Sequence, residues 1–152
     1  MLKPRLIKNI NFTLLIIFCF AVSSCSSDDN PTEMVEVTVN GTVLFDEGDD
    51  FNGDIDGDFT GNGGSATRTF FWQNSLNTAD YNADVTTSAT GLFEIEVRDA
   101  NDNLVLDRSI RGGTEPDSFS GVTENGTSGI WSVTIILTSF NGDGSLSLSE
   151  GD

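Results

Sequence analysis

The chain has 152 residues and a formal net charge of −17, with no histidine and only two cysteines. Lacking histidine, and with no lysine after Lys8, it has no means for Ser-His-Asp or Cys-His nucleophilic catalysis, Schiff-base chemistry or zinc held by His and Cys. A surface this acidic repels phosphate backbones, so no nucleic-acid partner is expected.

In chain order, Met1 to Asn11 carries Lys3, Arg5 and Lys8 and no acidic residue. The apolar run Phe12 to Val22 is eleven residues long, well short of the about 20 that a membrane-spanning helix needs. Basic residues, a short apolar run and then small residues form the pattern of a signal peptide. Val22-Ser23-Ser24 is followed at once by Cys25, and this stretch resembles the lipobox of bacterial lipoproteins. The resemblance implies a lipoprotein signal peptide over 1–24, cleavage before Cys25, and diacylation of its sulfur. At roughly 0.8 kcal/mol per buried methylene, two or three acyl chains hold a protein firmly to a membrane.

Residues 25–33 form a lipidated, acidic tether whose lack of apolar residues predicts disorder. The tract resembles the acidic stretch that sends lipoproteins of the Bacteroidetes to the outer face of the outer membrane. The chain is also similar to small lipoproteins of flavobacteria. These resemblances imply an outer-membrane location at the cell surface, with the periplasmic face as the alternative. Beyond Cys25, only Arg68, Arg98, Arg108 and Arg111 oppose all 24 acidic residues. No second cysteine remains, so the domain over 34–152 has to be held by its core without a disulfide.

That domain shows period-two alternation and no long helical periodicity. Val35 to Phe45 is one strand bent at Asn40-Gly41, or two strands joined there. Asp46 to Ser65 is rich in glycine, carries seven acidic residues, and is expected to be a long loop. Strands follow at Ala66 to Gln73, Tyr81 to Thr87, Leu92 to Asp99 and Leu104 to Ile110, with a turn over Asp99 to Asn103. Asn74 to Asp80 is a polar connection with room for a helical turn, and Arg111 to Gly129 is irregular. The strongest strand, Ile130 to Phe140, is expected to end in a hairpin turn at Asn141-Gly142-Asp143-Gly144 before a short last strand around Leu146 and Leu148. Seven to eight strands at this spacing predict an all-β fold, a single antiparallel β-sandwich, immunoglobulin-like or jelly-roll-like. Gly129-Ile130-Trp131-Ser132-Val133-Thr134-Ile135, coming after the Asp-Ala-Asn-Asp-Asn turn, resembles the jelly-roll-like accessory domains of secreted bacterial proteases. No catalytic residue comes with that likeness.

Several constellations invite chemistry. Asn52, Asp54, Asp56 and Asp58 alternate within a glycine-containing stretch and could converge on a calcium ion. The EF-hand pattern fails, because Gly63 stands where a bidentate glutamate is required; a solvated acidic loop is the alternative. Phe70, Trp72 and Tyr81 could present a sugar-stacking platform, with core packing the competing use. Glu94 and Glu96 lie about 7 Å apart on one strand face, the kind of carboxylate pair that glycosidases use, but an ordinary exposed strand face gives the same pattern. Gly61 to Ala66 matches a dinucleotide fingerprint in letters while lacking the strand-then-helix context. The overall expectation is a membrane-anchored, non-catalytic binding or adhesion module. It would face an extracellular protein or glycan and be stabilised by calcium or by its core alone. A structural envelope component without a small ligand and a glycan-active enzyme are the alternatives.

Overall fold

The structure is a computed structural model that describes residues 33–45 and 48–151. The expected signal peptide, Cys25 and most of the expected tether lie outside the described residues, as do Asp46, Glu47 and Asp152. The fold is all-β, with no helix among the described residues.

Nine strands follow in order: β1 (Val35–Val39), β2 (Thr42–Val43), β3 (Asp49–Asn52), β4 (Ile55–Asn74), β5 (Ala79–Thr87), β6 (Leu92–Arg98), β7 (Leu104–Arg111), β8 (Ser118–Val122) and β9 (Gly129–Glu150). The two longest, β4 and β9, pair antiparallel from Ile55↔Leu148 to Asn74↔Gly129. Midway, the register slips between Asn62 and Gly64 and again between Gly64 and Ala66. Gly63 has φ 113° and Ser139 φ 45°, so each strand carries an extra residue where the ribbon bends.

Different strands flank the two halves of this ribbon. The half before the bend in β4 lies with β1, β2, β5 and β8, whereas the half after it lies with β3, β6 and β7. Phe59 is on the first half and Phe93 on the second, yet their rings stack at 4.7 Å and 5°. The β9 residues paired with them, Gly144 and Leu137, would be about 23 Å apart on a straight strand. Such stacking therefore requires the ribbon to fold over on itself. The two layers enclose one core, in which Phe59, Phe70, Trp72, Phe93, Trp131 and Phe140 are the largest buried side chains.

Two sequence expectations fail for the same reason. The supposed loop before Ser65 is β3 and the first half of β4, and the supposed hairpin at Asn141 to Gly144 is continuous strand. The glycines there accommodate neighbours instead of reversing the chain: a Cβ on Gly142 would lie 1.9 Å from the Thr86 carbonyl oxygen, and one on Gly144 2.4 Å from the Phe59 ring. β8 occupies part of the segment expected to be irregular, and the connection before Ala79 has no helical turn. Asn40-Gly41 is a two-residue turn joining two strands, with φ 48° and 78° as a type I′ turn requires. The Asn40 side chain anchors it, donating to the Asp54 carbonyl at 3.0 Å and accepting from the Asp56 N–H at 2.7 Å.

Candidate functional site

The expected oxygen cluster is not assembled. Asn52 ends β3, and Asp54, Asp56 and Asp58 run into β4 as exposed residues alternating with buried Ile55, Gly57 and Phe59. β9 pairs with this part of β4 on one side and β1 with much of it on the other, holding successive carboxylates about 7 Å apart along one face. A calcium loop would have to fold them inward. Among the described residues, no three His, Cys, Asp or Glu side chains gather into a metal-holding group.

The aromatic platform is corrected in the same way. Phe70 and Trp72 are fully buried. Trp72 meets Trp131 edge-on at 6.0 Å, and its Nε1 donates to the Gly53 carbonyl at 2.7 Å. Tyr81 is half-buried and packs edge-on against Phe119 at 5.8 Å. A flat, solvent-facing pair cannot be made from these three. Alternation had two faces to offer, and the core took the one with Trp72. Glu94 and Glu96 are half-exposed on β6, where Glu96 reaches Arg98 at 3.9 Å; no cleft separates them. Gly61 to Ala66 lies within β4 at the bend, far from the context a dinucleotide needs.

Two other features organise the polar chemistry. The first is Asp99, which composition marks only as part of a turn. Its Oδ1 accepts from the N–H groups of Asn101 at 2.9 Å and Asn103 at 2.8 Å, and its Oδ2 accepts from the Thr127 N–H at 2.7 Å. The Asn103 amide adds further bonds. Asp99 is only 4% exposed, and burial alone would raise its pKa. The hydrogen bonds from the Asn103 side chain and from the three backbone N–H groups outweigh that effect and bring the carboxyl down to about 2. Asp99 thus joins the β6–β7 turn to the segment leading into β9. Because its folded pKa lies below the ordinary 3.8, its contribution is complete above about pH 4 and is lost as pH falls through about 2. Asp99→Asn is therefore expected to melt several degrees lower at pH 6, with the gap to wild type narrowing as pH drops toward 2. Melting curves across that range are the test, and a gap independent of pH would contradict the assignment.

The second feature is an open groove of about 570 Å³ beside β7 and β8, lined by Arg108, Arg111, Ser109, Thr114, Ser118 and Phe119 among others. The outer face of the β1–β4–β9–β5 layer carries exposed Asp56, Asp58, Asp84 and Asp143, whereas the groove holds two of the four arginines among the described residues. Of the other two, Arg68 donates to the Leu44 and Thr67 carbonyls, and Arg98 to the Asp102 carbonyl. Arg108 sits over the Phe119 ring at 5.6 Å, and neither groove guanidinium has a hydrogen bond or ion pair among the described residues. Attention to carboxylates and aromatics passes over this site. Its one sequence signal is that Arg108 and Arg111 are close together in a chain almost without cations.

No family model matches the chain, and no curated protein matches it either.

Proposed function

We infer that the protein is a lipid-anchored outer-membrane lipoprotein that displays a non-catalytic binding β-sandwich at the cell surface. The observation that carries this reading is Val22-Ser23-Ser24-Cys25 behind a basic segment and a short apolar run. The missing histidine and lysine chemistry favours binding over catalysis. Calcium has no part in this reading, because β4 holds the acidic residues apart.

Full-length protein is expected to partition into detergent, and Cys25→Ser to remain in the aqueous phase. On intact cells, externally added protease should degrade the domain. Aqueous partitioning of the wild type would overturn the anchor, and protection from protease would overturn surface display.

A further inference from the structure

We propose that β7 is a self-recognition edge: two copies of this chain pair β7 with β7, antiparallel and centred on Ser109, to make one continuous sheet across a dimer.

Among the described residues, β2, β3, β7 and β8 each pair with a single strand and so present edges. β2 has two residues, too few to hold a partner. β3 carries Asp49 and Asp50 and no cation, and β8 has no charged residue from Ser118 to Val122. β7 is the long edge, eight residues with charges of both signs. The groove of about 570 Å³ lies between it and Ser118 and Phe119, so β8 leaves this edge uncovered. An exposed edge of this length is a template for pairing.

Hydrogen-bond parity decides which backbone groups are available. The Gly112 N–H bonds to the Gly91 carbonyl in continuation of the β6–β7 register, so Leu106, Arg108 and Ile110 direct their backbone groups to β6. Asp107, Ser109 and Arg111 direct theirs outward. At one end the Val105 carbonyl is taken by the Glu124 N–H at 3.0 Å. At the other, Gly113 leaves the strand with φ 72°. The Arg111 carbonyl accepts from Thr114 Oγ1 at 2.6 Å and keeps a second lone pair. The usable ladder therefore runs from Asp107 to Arg111.

Charge selects both the occupant and the register. Asp107, Ser109 and Arg111 share the outer face of the strand, opposite in parity to buried Leu106 and Ile110. In an antiparallel pair centred on Ser109, Asp107 of each copy stands opposite Arg111 of the other, twice over by symmetry. No neighbouring register achieves this. Centring on Asp107, Arg108 or Arg111 sets that charge against itself, and centring on Ile110 places Asp107 opposite Gly113. Within one chain, Asp107 faces Glu96 across the β6–β7 ladder, a like-charge pair that costs stability. The second copy's Arg111 comes to its other side. One carboxylate and one arginine on the outward face suit a copy of the same strand and no partner of a single sign. Charges farther off in this acidic chain are screened beyond about 8 Å at physiological salt.

A ladder from Asp107 to Arg111 is short of the about 1,000 Å² of a lasting interface, so the expected Kd is about 0.1–1 mM. In purified full-length protein in detergent, a short bismaleimide should join Ser109→Cys into a dimer, because Cα atoms of a hydrogen-bonded pair lie about 5.5 Å apart. Glu94→Cys, on the same face but three strand spacings or about 14 Å from its copy, should stay uncoupled. Asp107→Arg and Arg111→Asp should each weaken dimerisation roughly tenfold, and the double exchange should restore it. Raising the protein to about 1 mM should slow hydrogen exchange at the Asp107, Ser109 and Arg111 amides. Near-ultraviolet circular dichroism identifies any variant that fails to fold, and the Ser109→Cys result stands without the charge variants. Absence of the Ser109→Cys dimer, or equal coupling at Glu94→Cys, would overturn the proposal. So would a folded double exchange that stays as weak as the single ones, or amide exchange that ignores concentration. None of these readouts needs a membrane, so failure of the detergent-partition or protease test leaves the dimer standing, and failure here leaves the anchor standing.

Discussion

Trp72→Ala is expected to unfold the domain rather than to silence a binding face. Trp72 is fully buried, lies directly across the β4–β9 ladder from Trp131, and meets it edge-on at 6.0 Å. Removing so large a buried aromatic costs about 3–5 kcal/mol. The Gly53 carbonyl also loses the indole N–H that reaches it at 2.7 Å. Against a total stability of roughly 5–15 kcal/mol for a typical domain, and with no disulfide to restrain the chain, that loss is a large share of the total and removes nearly all of it at the lower end. Trp72→Phe keeps most of the apolar volume and removes only the donor, so a smaller loss of about 1–3 kcal/mol is expected. Urea titration of both variants, followed by near-ultraviolet circular dichroism, checks the order. A Trp72→Ala protein with an unchanged midpoint would return Trp72 to the surface.

That result bears on what a reader of the sequence could know. Strands with clean alternation were legible, among them Phe93, Ile95 and Val97 on β6 and Trp131, Val133, Ile135 and Leu137 on β9, because inward positions were apolar and outward ones polar. The Asn40-Gly41 turn was legible because both residues tolerate positive φ. Where glycine occupies an inward position, the signal vanishes. Ile55, Gly57, Phe59 and Gly61 keep strict parity, but hydropathy registers only two of the four, and the acidic residues between them suggest a loop. β8 escaped notice for a related reason: as an edge strand it places only Phe119 against the core.

The candidate site was less legible than the fold. An acidic composition drew attention to carboxylates, which the structure lays along open faces. The groove arises from two edges that lie far apart in the pairing order and meet only when the β4–β9 ribbon folds over. Nothing local announces that meeting. Asp99 shows the same limit: the turn was visible, whereas the bond to Thr127 joins residues 28 apart in the chain.

The glycines on which the fold hinges can be tested directly. Gly144 lies between Phe59 on β4 and Val85 on β5, and the Phe59 ring covers it so closely that a Cβ would fall 2.4–2.5 Å from two ring carbons. Gly57 stands opposite Leu146 in the same fashion. Small facing large along the ladder lets Phe59 lie flat enough to stack on Phe93 across the core. Gly144 is not among the residues with positive φ, so a side chain there meets steric obstacles, the Phe59 ring foremost and then the Asp84 carbonyl oxygen at 2.8 Å, and no conformational one. Gly144→Ala is expected to cost about 3 kcal/mol or more through this overpacking, whereas a glycine needed only for chain flexibility would cost about 1 kcal/mol or less. Phe59→Leu removes the obstructing ring carbons, so in that background the cost of Gly144→Ala should fall by about 1–2 kcal/mol. Gly142→Ala makes the contrast, since its Cβ would strike the Thr86 carbonyl oxygen at 1.9 Å and no side-chain replacement relieves it. A double-mutant cycle on urea midpoints separates the cases. Strict additivity of Phe59→Leu with Gly144→Ala would mean that the ring and the glycine do not depend on each other, and the account of why β9 runs on through Asn141-Gly142-Asp143-Gly144 would fail with it.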